Sequence, residues 1–161
     1  MTTIICDLER MVCDSRVVDG DLHYPGQKVY PLRGWLVGVA GEGRAMALFI
    51  RWFEAGCLEP APELTKRDGT LRALVLGADG IAVYDEGFAR EPVKRGYHAV
   101  GTGASAAIGA LMGAERGGNT ITLEDAVEIA CDLDNNSGLP VTSYRLADYP
   151  ATPVRKKRKK G

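Results

Sequence analysis

The chain has few of the residues on which membrane spans, metal centres and disulfide frameworks depend. No apolar run approaches the ~20 residues that a membrane span needs, although 45% of the 161 residues are apolar. Histidine occurs twice and cysteine four times, and the cysteines lack the spacing of zinc ligands, so we expect no zinc site. Cys6 and Cys13 lie in short apolar runs, as small core residues do. Asp7 comes too early for a signal peptide, which favours a cytoplasmic protein with reduced thiols.

Basic residues are unevenly distributed along the chain. The formal net charge is −1, but 6 of the 20 basic residues fall in 155–160, which leaves 14 basic against 21 acidic residues elsewhere. An acidic body is not typical of a folded nucleic-acid-binding face, so we expect contact with nucleic acid only through this tail, if at all. The length suits one domain. We expect that domain to cover residues 1–148, followed by a flexible basic tail over 149–161.

The hydrophobic periodicity changes several times along the chain. Alternating or short apolar runs separated by turn residues predict three hairpins, and later a single strand and a final strand. Periods of three and four residues predict helices over 42–55 and 103–114, and a third that begins at Thr122, where Asp125 completes a capping box. The segment 58–70 is polar, holds two prolines and reads as a loop. The strands are expected at 3–6, 11–13, 28–30, 35–39, 72–76, 81–84, 97–102 and 139–146. Hairpins grouped between helices favour an α+β sandwich over a βαβ alternation.

Several residues could carry chemistry, and each also has a plain structural interpretation. Thr2 follows a methionine that aminopeptidases remove before small residues, so the mature chain could begin with a free threonine; many inert termini look the same. Asp14 could end a hairpin, Lys28 could be an exposed residue that opens a strand, and Gly38 could serve packing. The run Asp134-Asn135-Asn136-Ser137-Gly138 has the composition of an ordinary turn.

One competing motif argues for a nucleotide. Gly101-Thr102-Gly103-Ala104-Ser105-Ala106 fits the G-x-G-x-x-A dinucleotide fingerprint between a strand and a helix. No acidic residue ends a following strand about ~20 residues on, and too little chain remains for a Rossmann sheet. The pattern therefore argues against a dinucleotide site.

Several short segments, taken in their order along the chain, are Thr2-Thr3-Ile4-Ile5, Asp14-Ser15-Arg16, Lys28, Trp35-Leu36-Val37-Gly38-Val39-Ala40-Gly41, Val100-Gly101-Thr102-Gly103 and Asp134-Asn135-Asn136-Ser137-Gly138. Together they resemble the proteasome β-subunit family of N-terminal nucleophile hydrolases, above all HslV-type peptidases. The resemblance covers residues 2–146. It implies a four-layer αββα sandwich of two antiparallel sheets flanked by helices, and a threonine peptidase that needs no cofactor.

The resemblance also implies roles for seven residues. Thr2 matches the nucleophile, whose own α-amine would act as the base. Lys28 and Asp14 match the buried lysine and its partner carboxylate, and Gly38 matches the glycine of the oxyanion hole. Thr102 stands where the family usually has serine. Asp134 and Ser137 match the residues that orient the terminal amine.

The chain departs from the family between its first long helix and the strand at 72–76. The second long helix that the family has there is expected to be missing or reduced to a turn within 56–71. A homo-oligomeric ring and docking to an ATP-dependent unfoldase of the HslU type are implied by the resemblance, although that helix helps to build subunit contacts. Two alternatives stay open: a catalytically inactive, ring-forming scaffold, and a hydrolase of the same fold that acts on small amides.

Overall fold

The fold, described here from a computed structural model that covers residues 2–151, contains eleven strands and three helices over that range. The helices are α1 (Gly43–Glu54), α2 (Ala104–Arg116) and α3 (Leu123–Leu133). The strands are β1 (Ile4–Cys6), β2 (Arg10–Cys13), β3 (Arg16–Asp19), β4 (Leu22–Pro25), β5 (Val29–Leu32), β6 (Trp35–Gly41), β7 (Leu71–Gly77), β8 (Gly80–Tyr84), β9 (Arg90–Pro92), β10 (His98–Val100) and β11 (Thr142–Arg145). Every strand pairing is antiparallel.

Two sheets form the centre of the molecule. One has the strand order β10-β1-β2-β11 and the other β5-β6-β7-β8-β9, while β3 and β4 form a separate two-stranded hairpin. The larger sheet is a meander, because each of its strands pairs with the next one along the chain. In the smaller sheet, β1 lies between β2 and β10, with Ile4 opposite both Cys13 and Val100.

Neighbouring residues of one strand belong to different layers of the core. Ile4 packs in a cluster shared by the two sheets, whereas Ile5 packs against α2 and α3. On β6, Leu36 faces the other sheet and Val37 faces α1. Since successive side chains of a strand point to opposite faces, each sheet is covered on both sides. The result is the αββα order of layers that the resemblance implied.

Within the described part of the chain, the outer layer over the larger sheet contains one helix. Phe49 of α1 is fully buried and its ring lies 5.2 Å from that of Tyr84 and 5.4 Å from that of Phe88. After α1 the described chain forms turns and loop up to β7, as predicted for 56–71. Asp68 holds this loop, since it forms an ion pair with Arg44 and accepts hydrogen bonds from the backbone and side chain of Thr65.

The capping box and the core cysteines are also confirmed. Thr122 Oγ1 accepts from the backbone N–H of Asp125, while Asp125 accepts from that of Thr122, which begins α3. Cys6 and Cys13 are buried between the sheets as free thiols. Burial raises the pKa of Cys13 to about 12, with the Asp14 charge acting in the same direction.

Three elements differ from the expectation. The β3–β4 hairpin forms between the strands expected at 11–13 and 28–30, where no strand was expected, and β9 was not predicted. Tyr149, assigned to the tail, packs against the core between the sheets. The basic run at 155–160, part of the tail that we expect to be flexible, lies outside the described residues.

No helix within residues 2–151 is long and apolar enough to cross a membrane, and no group of three His, Cys, Asp or Glu side chains in that range could hold a metal ion.

Candidate active site

Thr2 is buried at the point where the chain enters β1, and only 3% of it is exposed. Two glycines allow the turn after β10 to approach it closely. A Cβ on Gly101, whose φ is +99°, would collide with the carbonyl oxygen of Thr2, and a Cβ on Gly103 would collide with Thr3 Oγ1. The glycines of the dinucleotide-like motif therefore make room for the start of the chain, which explains the pattern without a nucleotide.

Asp14 and Lys28 form an ion pair beside this threonine pair. Lys28 Nζ donates to Asp14 Oδ1 over 2.7 Å, and both side chains are at most 5% exposed. The structure thus contradicts the interpretation of Lys28 as an exposed strand residue. Burial lowers the pKa of Lys28, while the hydrogen bond and charge of Asp14 oppose that shift. Three residues of separate segments meet this carboxylate as well: the backbone N–H groups of Thr3 (2.8 Å), Arg16 (3.0 Å) and Gly138 (2.9 Å).

A second carboxylate, that of Asp134, is connected to the first residues of the chain through two hydroxyl groups. Thr102 Oγ1 donates to Asp134 Oδ2 over 2.6 Å, and Ser137 Oγ donates to the same oxygen over 2.7 Å. The Thr2 backbone N–H donates to Thr102 Oγ1 over 3.4 Å, and Thr3 Oγ1 lies 2.7 Å from Ser137 Oγ. Burial raises the pKa of Asp134, but these hydrogen bonds and those from Asn136 outweigh it and hold the pKa below its ordinary value.

The direction of these hydrogen bonds follows from counting protons. A hydroxyl has one hydrogen to donate. Thr102 uses its hydrogen for Asp134, so towards Thr2 it can only accept, and the Thr2 nitrogen must donate. In the same way Ser137 donates to Asp134 and accepts from Thr3. Both series of hydrogen bonds, one from the Thr2 nitrogen and one from the Thr3 hydroxyl, therefore end on the negative charge of Asp134 Oδ2.

Gly38 does not reach this site, and the expectation for it is wrong. It lies in the middle of β6, opposite Val29 and Leu74, and a Cβ there would be 2.8 Å from side-chain atoms of Ile4 and Met11 in the core. Val39 N–H donates to the carbonyl oxygen of Lys28, just before β5, whereas Glu42 N–H donates to that of Thr70, just before β7. Because N–H groups alternate along a strand, that of Gly38 points to β7.

A cleft of 1020 Å³ opens at Thr2 and Lys28. Thr102 and Arg16 also line it, as does Gly41, which ends β6 with a φ of +142°. The structure thus brings together six of the seven predicted residues: Thr2 and its neighbours Asp14, Lys28, Thr102, Asp134 and Ser137.

Three residues of the site were not predicted: Thr3, Arg16 and Gly41. Thr3 and Arg16 stood within quoted motifs, adjacent to Thr2 and two residues after Asp14, but a sequence does not reveal which backbone N–H or hydroxyl will meet a carboxylate. For Gly41 there was a usable signal. A glycine at the junction of a strand and a helix often marks a positive φ, whereas a glycine inside a strand, such as Gly38, more often marks close packing.

Solved structures share this architecture at low sequence identity. The chain resembles Thiobacillus denitrificans BPH with a TM-score of 0.67 and 16% identity, over 94% of this chain and 98% of that one. A structure of the same protein described as in complex with epoxomicin gives 0.63 and 18%, over 94% and 99%. HslV from Trypanosoma brucei gives 0.67 and 18%, over 89% and 98%. No protein-family model and no curated protein matches the sequence.

The layers, the antiparallel sheets and these likenesses define an N-terminal nucleophile hydrolase fold. More particularly, it is the fold of HslV, and the resemblance to the proteasome β-subunit and HslV-type family that the sequence indicated is confirmed at the level of the fold.

Proposed function

We propose that this protein is an HslV/proteasome-like threonine peptidase that cleaves peptide bonds through an acyl-enzyme on Thr2. The observation that carries the proposal is the hydrogen-bond chain from the Thr2 nitrogen through Thr102 to Asp134. Removal of Met1 would turn that nitrogen from an amide, which cannot act as a base, into an α-amine, which can. The binding of epoxomicin to a protein of the same fold supports the proposal.

The chemistry requires an amine that is neutral before attack. An α-amine has a pKa near ~8, so much of it is unprotonated around neutral pH. One N–H donates to Thr102, which leaves the nitrogen lone pair to take the proton of Thr2 Oγ1 as that oxygen attacks the substrate carbonyl. The ammonium that forms is then stabilised through Thr102 by the carboxylate of Asp134. The ammonium gives that proton to the leaving amine of the substrate, and water then hydrolyses the ester on Thr2.

Lys28 and Asp14 contribute to the site in complementary ways. The Lys28 ammonium lies in the cleft with Thr2, where a positive charge favours the neutral form of the amine and the negative charge that develops on the nucleophile. Asp14 holds that ammonium and, through the Thr3 N–H, fixes the first strand next to the nucleophile.

We assign the oxyanion hole to Gly41 instead of Gly38. By the alternation along β6, the N–H of Gly41 points to the same side as that of Val39, but it lies beyond the first residue of β5 and lines the cleft. A backbone donor aimed at the developing oxyanion is worth ~3–4 kcal/mol of barrier.

The substrate that we propose is a peptide or an unfolded protein chain, processed in a homo-oligomeric ring. The cleft volume of 1020 Å³ is compatible with several residues of extended peptide. Docking to an ATP-dependent unfoldase of the HslU type has less support, because the outer layer over the larger sheet has a single helix among residues 2–151. The 155–160 run is proposed to be dispensable for catalysis.

The proposal is tested by intact mass spectrometry of untagged protein before and after incubation with epoxomicin or a β-lactone. We expect loss of Met1 and one probe per chain. Thr2→Ala should also lose Met1 but should not label, and Thr120→Ala, an exposed threonine in the loop before α3, should label like the wild type. Turnover of fluorogenic peptides then separates peptidase from small-amide hydrolase activity.

Each alternative has its own outcome. A chain that keeps Met1, or loses it and never labels, would support an inactive scaffold. Labelling with turnover of small amides but not of peptides would support the small-molecule hydrolase. Labelling of Thr2→Ala at the wild-type rate would refute Thr2 as the nucleophile in any of these readings.

A further inference from the structure

The loop at 134–138 carries two residues of the site without regular secondary structure to hold it. It follows α3 and contains Asp134 and Ser137, which bond each other through side chains and through Ser137 N–H and Asp134 O. At its end, the backbone of Gly138 bonds to the two residues that precede β3: its N–H donates to Asp14 Oδ2, and its carbonyl accepts from Ser15 N–H. Within the loop, the backbone and side-chain N–H groups of Asn136 donate to Asp134 Oδ1 over 3.2 and 3.3 Å. The contact of the Asn135 carbonyl comes from outside the loop.

Arg16, the first residue of β3, supplies that contact. Its Nη1 donates to the carbonyl oxygen of Asn135 over 3.0 Å, and its backbone N–H donates to Asp14 Oδ2 over 3.0 Å. The guanidinium group also lies close against Gly138: a Cβ on that glycine would be 2.6 Å from both Cζ and Nη2. One side chain therefore touches both ends of the four-residue segment 135–138.

Gly138 has no conformational reason to be glycine. It is not among the described glycines with positive φ, so its backbone would accept other residues. What excludes a side chain is the guanidinium group, which occupies the position of the Cβ. Gly138 and Arg16 thus fit each other, and a methyl group at 138 would displace the flexible end of Arg16 instead of the backbone.

We infer that Arg16 is a positioning residue: it clamps the 135–138 segment so that Asp134 and Ser137 keep the geometry in which Asp134 supports the terminal amine. This inference rests on the proposed function for its catalytic consequence but not for its structural one. A planar guanidinium suits the task because its donors are fixed in one plane that can both pack against the Gly138 backbone and donate to Asn135. Lysine keeps the charge but not that plane.

Two variants remove the clamp from opposite sides. Arg16→Ala deletes the guanidinium, and Gly138→Ala keeps the arginine but pushes it away. We expect both to lower the maximal rate of epoxomicin labelling by ~10- to ~100-fold, as misplaced catalytic groups do, with little change in the probe concentration at half-maximal rate. Arg16→Lys should not restore the rate. In Gly138→Ala the acid limb of the pH profile should move to lower pH, because a loosened Asp134 stabilises the ammonium form less.

Hydrogen exchange gives a readout that does not need activity. The amides of Ser137 and Gly138 should exchange faster in both variants, while those of β6 keep their protection. Matched controls are Arg51→Ala, on the exposed face of α1, and Gly113→Ala, where a Cβ on α2 meets nothing within 4 Å. Neither should change labelling or the exchange of the loop.

The outcomes separate the two proposals. Failure of the wild type to label would refute the proposed function, and the exchange of the loop would still decide on the clamp. The clamp would be refuted if Arg16→Ala or Gly138→Ala exchanged its loop amides and labelled at the rates of the wild type. A double variant whose losses add would refute it too, since two changes that break one contact should cost no more together than singly. A change confined to the half-saturating probe concentration would make Arg16 a substrate contact instead.

Discussion

Removal of Asp14 should destabilise the fold more than removal of Lys28, although the two form one ion pair. Breaking a buried pair from one side costs ~3–5 kcal/mol, because a charge is left buried without its partner. Lys28→Met leaves a carboxylate that still accepts three backbone N–H groups, so we expect about 3 kcal/mol. Asp14→Ala leaves a buried ammonium and also orphans the N–H groups of Thr3, Arg16 and Gly138, at ~1–3 kcal/mol each, so about 6 kcal/mol or more is expected.

The assay is urea unfolding of each variant at one protein concentration, since assembly would shift the apparent stability. If Asp14→Ala does not fold, Asp14→Asn should still be less stable than Lys28→Met. The exposed pair of Arg90 and Asp79, 2.8 Å apart, is the control, and breaking it should cost under ~1 kcal/mol. Equal losses for the two buried variants, or a larger loss for Lys28→Met, would refute the role of Asp14 as a junction of three chain segments.

Two further predictions concern single positions of the cleft. Gly41→Ala should abolish labelling and lower stability, because φ at this position is +142° and the added Cβ would collide with Thr70 O. Gly43→Ala, where a Cβ would meet nothing within 4 Å, should leave both labelling and stability unchanged. Tolerance of alanine at 41 would contradict the assigned oxyanion donor. Thr102→Val should lose most of the labelling rate while Thr102→Ser keeps it, because only the hydroxyl connects the Thr2 nitrogen to Asp134; equal rates for valine and serine would show that this hydroxyl is not used.

The sequence was sufficient for the layers of the fold because their signals are local. The change from alternation to a helical period locates α1, and Thr122 with Asp125 marks the start of α3. The β3–β4 hairpin was missed because its Asp and Gly residues are equally typical of loops. The error at Gly38 has a similar cause. Gly38 and Gly41 stand three residues apart in the same motif, and the alternation of N–H directions in the paired strand shows which of the two faces the cleft.

The contacts of Asp14 and Asp134 could not be predicted for another reason. Asp14 accepts from Gly138, 124 residues away in the chain, and Thr3 contacts Ser137 across 134 residues. A pattern can name the residue types but not such pairings, which exist only once the two helices and the first sheet have packed. The Asp14 carboxylate, which we propose holds Lys28 beside the nucleophile, also joins three segments of the fold. A loss of activity at Asp14 is therefore not interpretable without a measurement of stability.

The pH dependence separates chemistry from folding. Hydrogen bonds hold the pKa of Asp134 below its ordinary value, against the effect of burial, so the stability that its charge contributes is complete above the unfolded pKa of ~4 and is lost only as the pH falls through the lower folded value. Between pH 5 and 8, Asp134 should leave the urea midpoint unchanged, whereas labelling should decline as the terminal amine becomes protonated. In Asp134→Asn that decline should persist but begin at a lower pH, because the ammonium has lost its counter-charge. A labelling decline that follows a fall in the urea midpoint over this range would assign the acid limb to unfolding and contradict the terminal amine as the base.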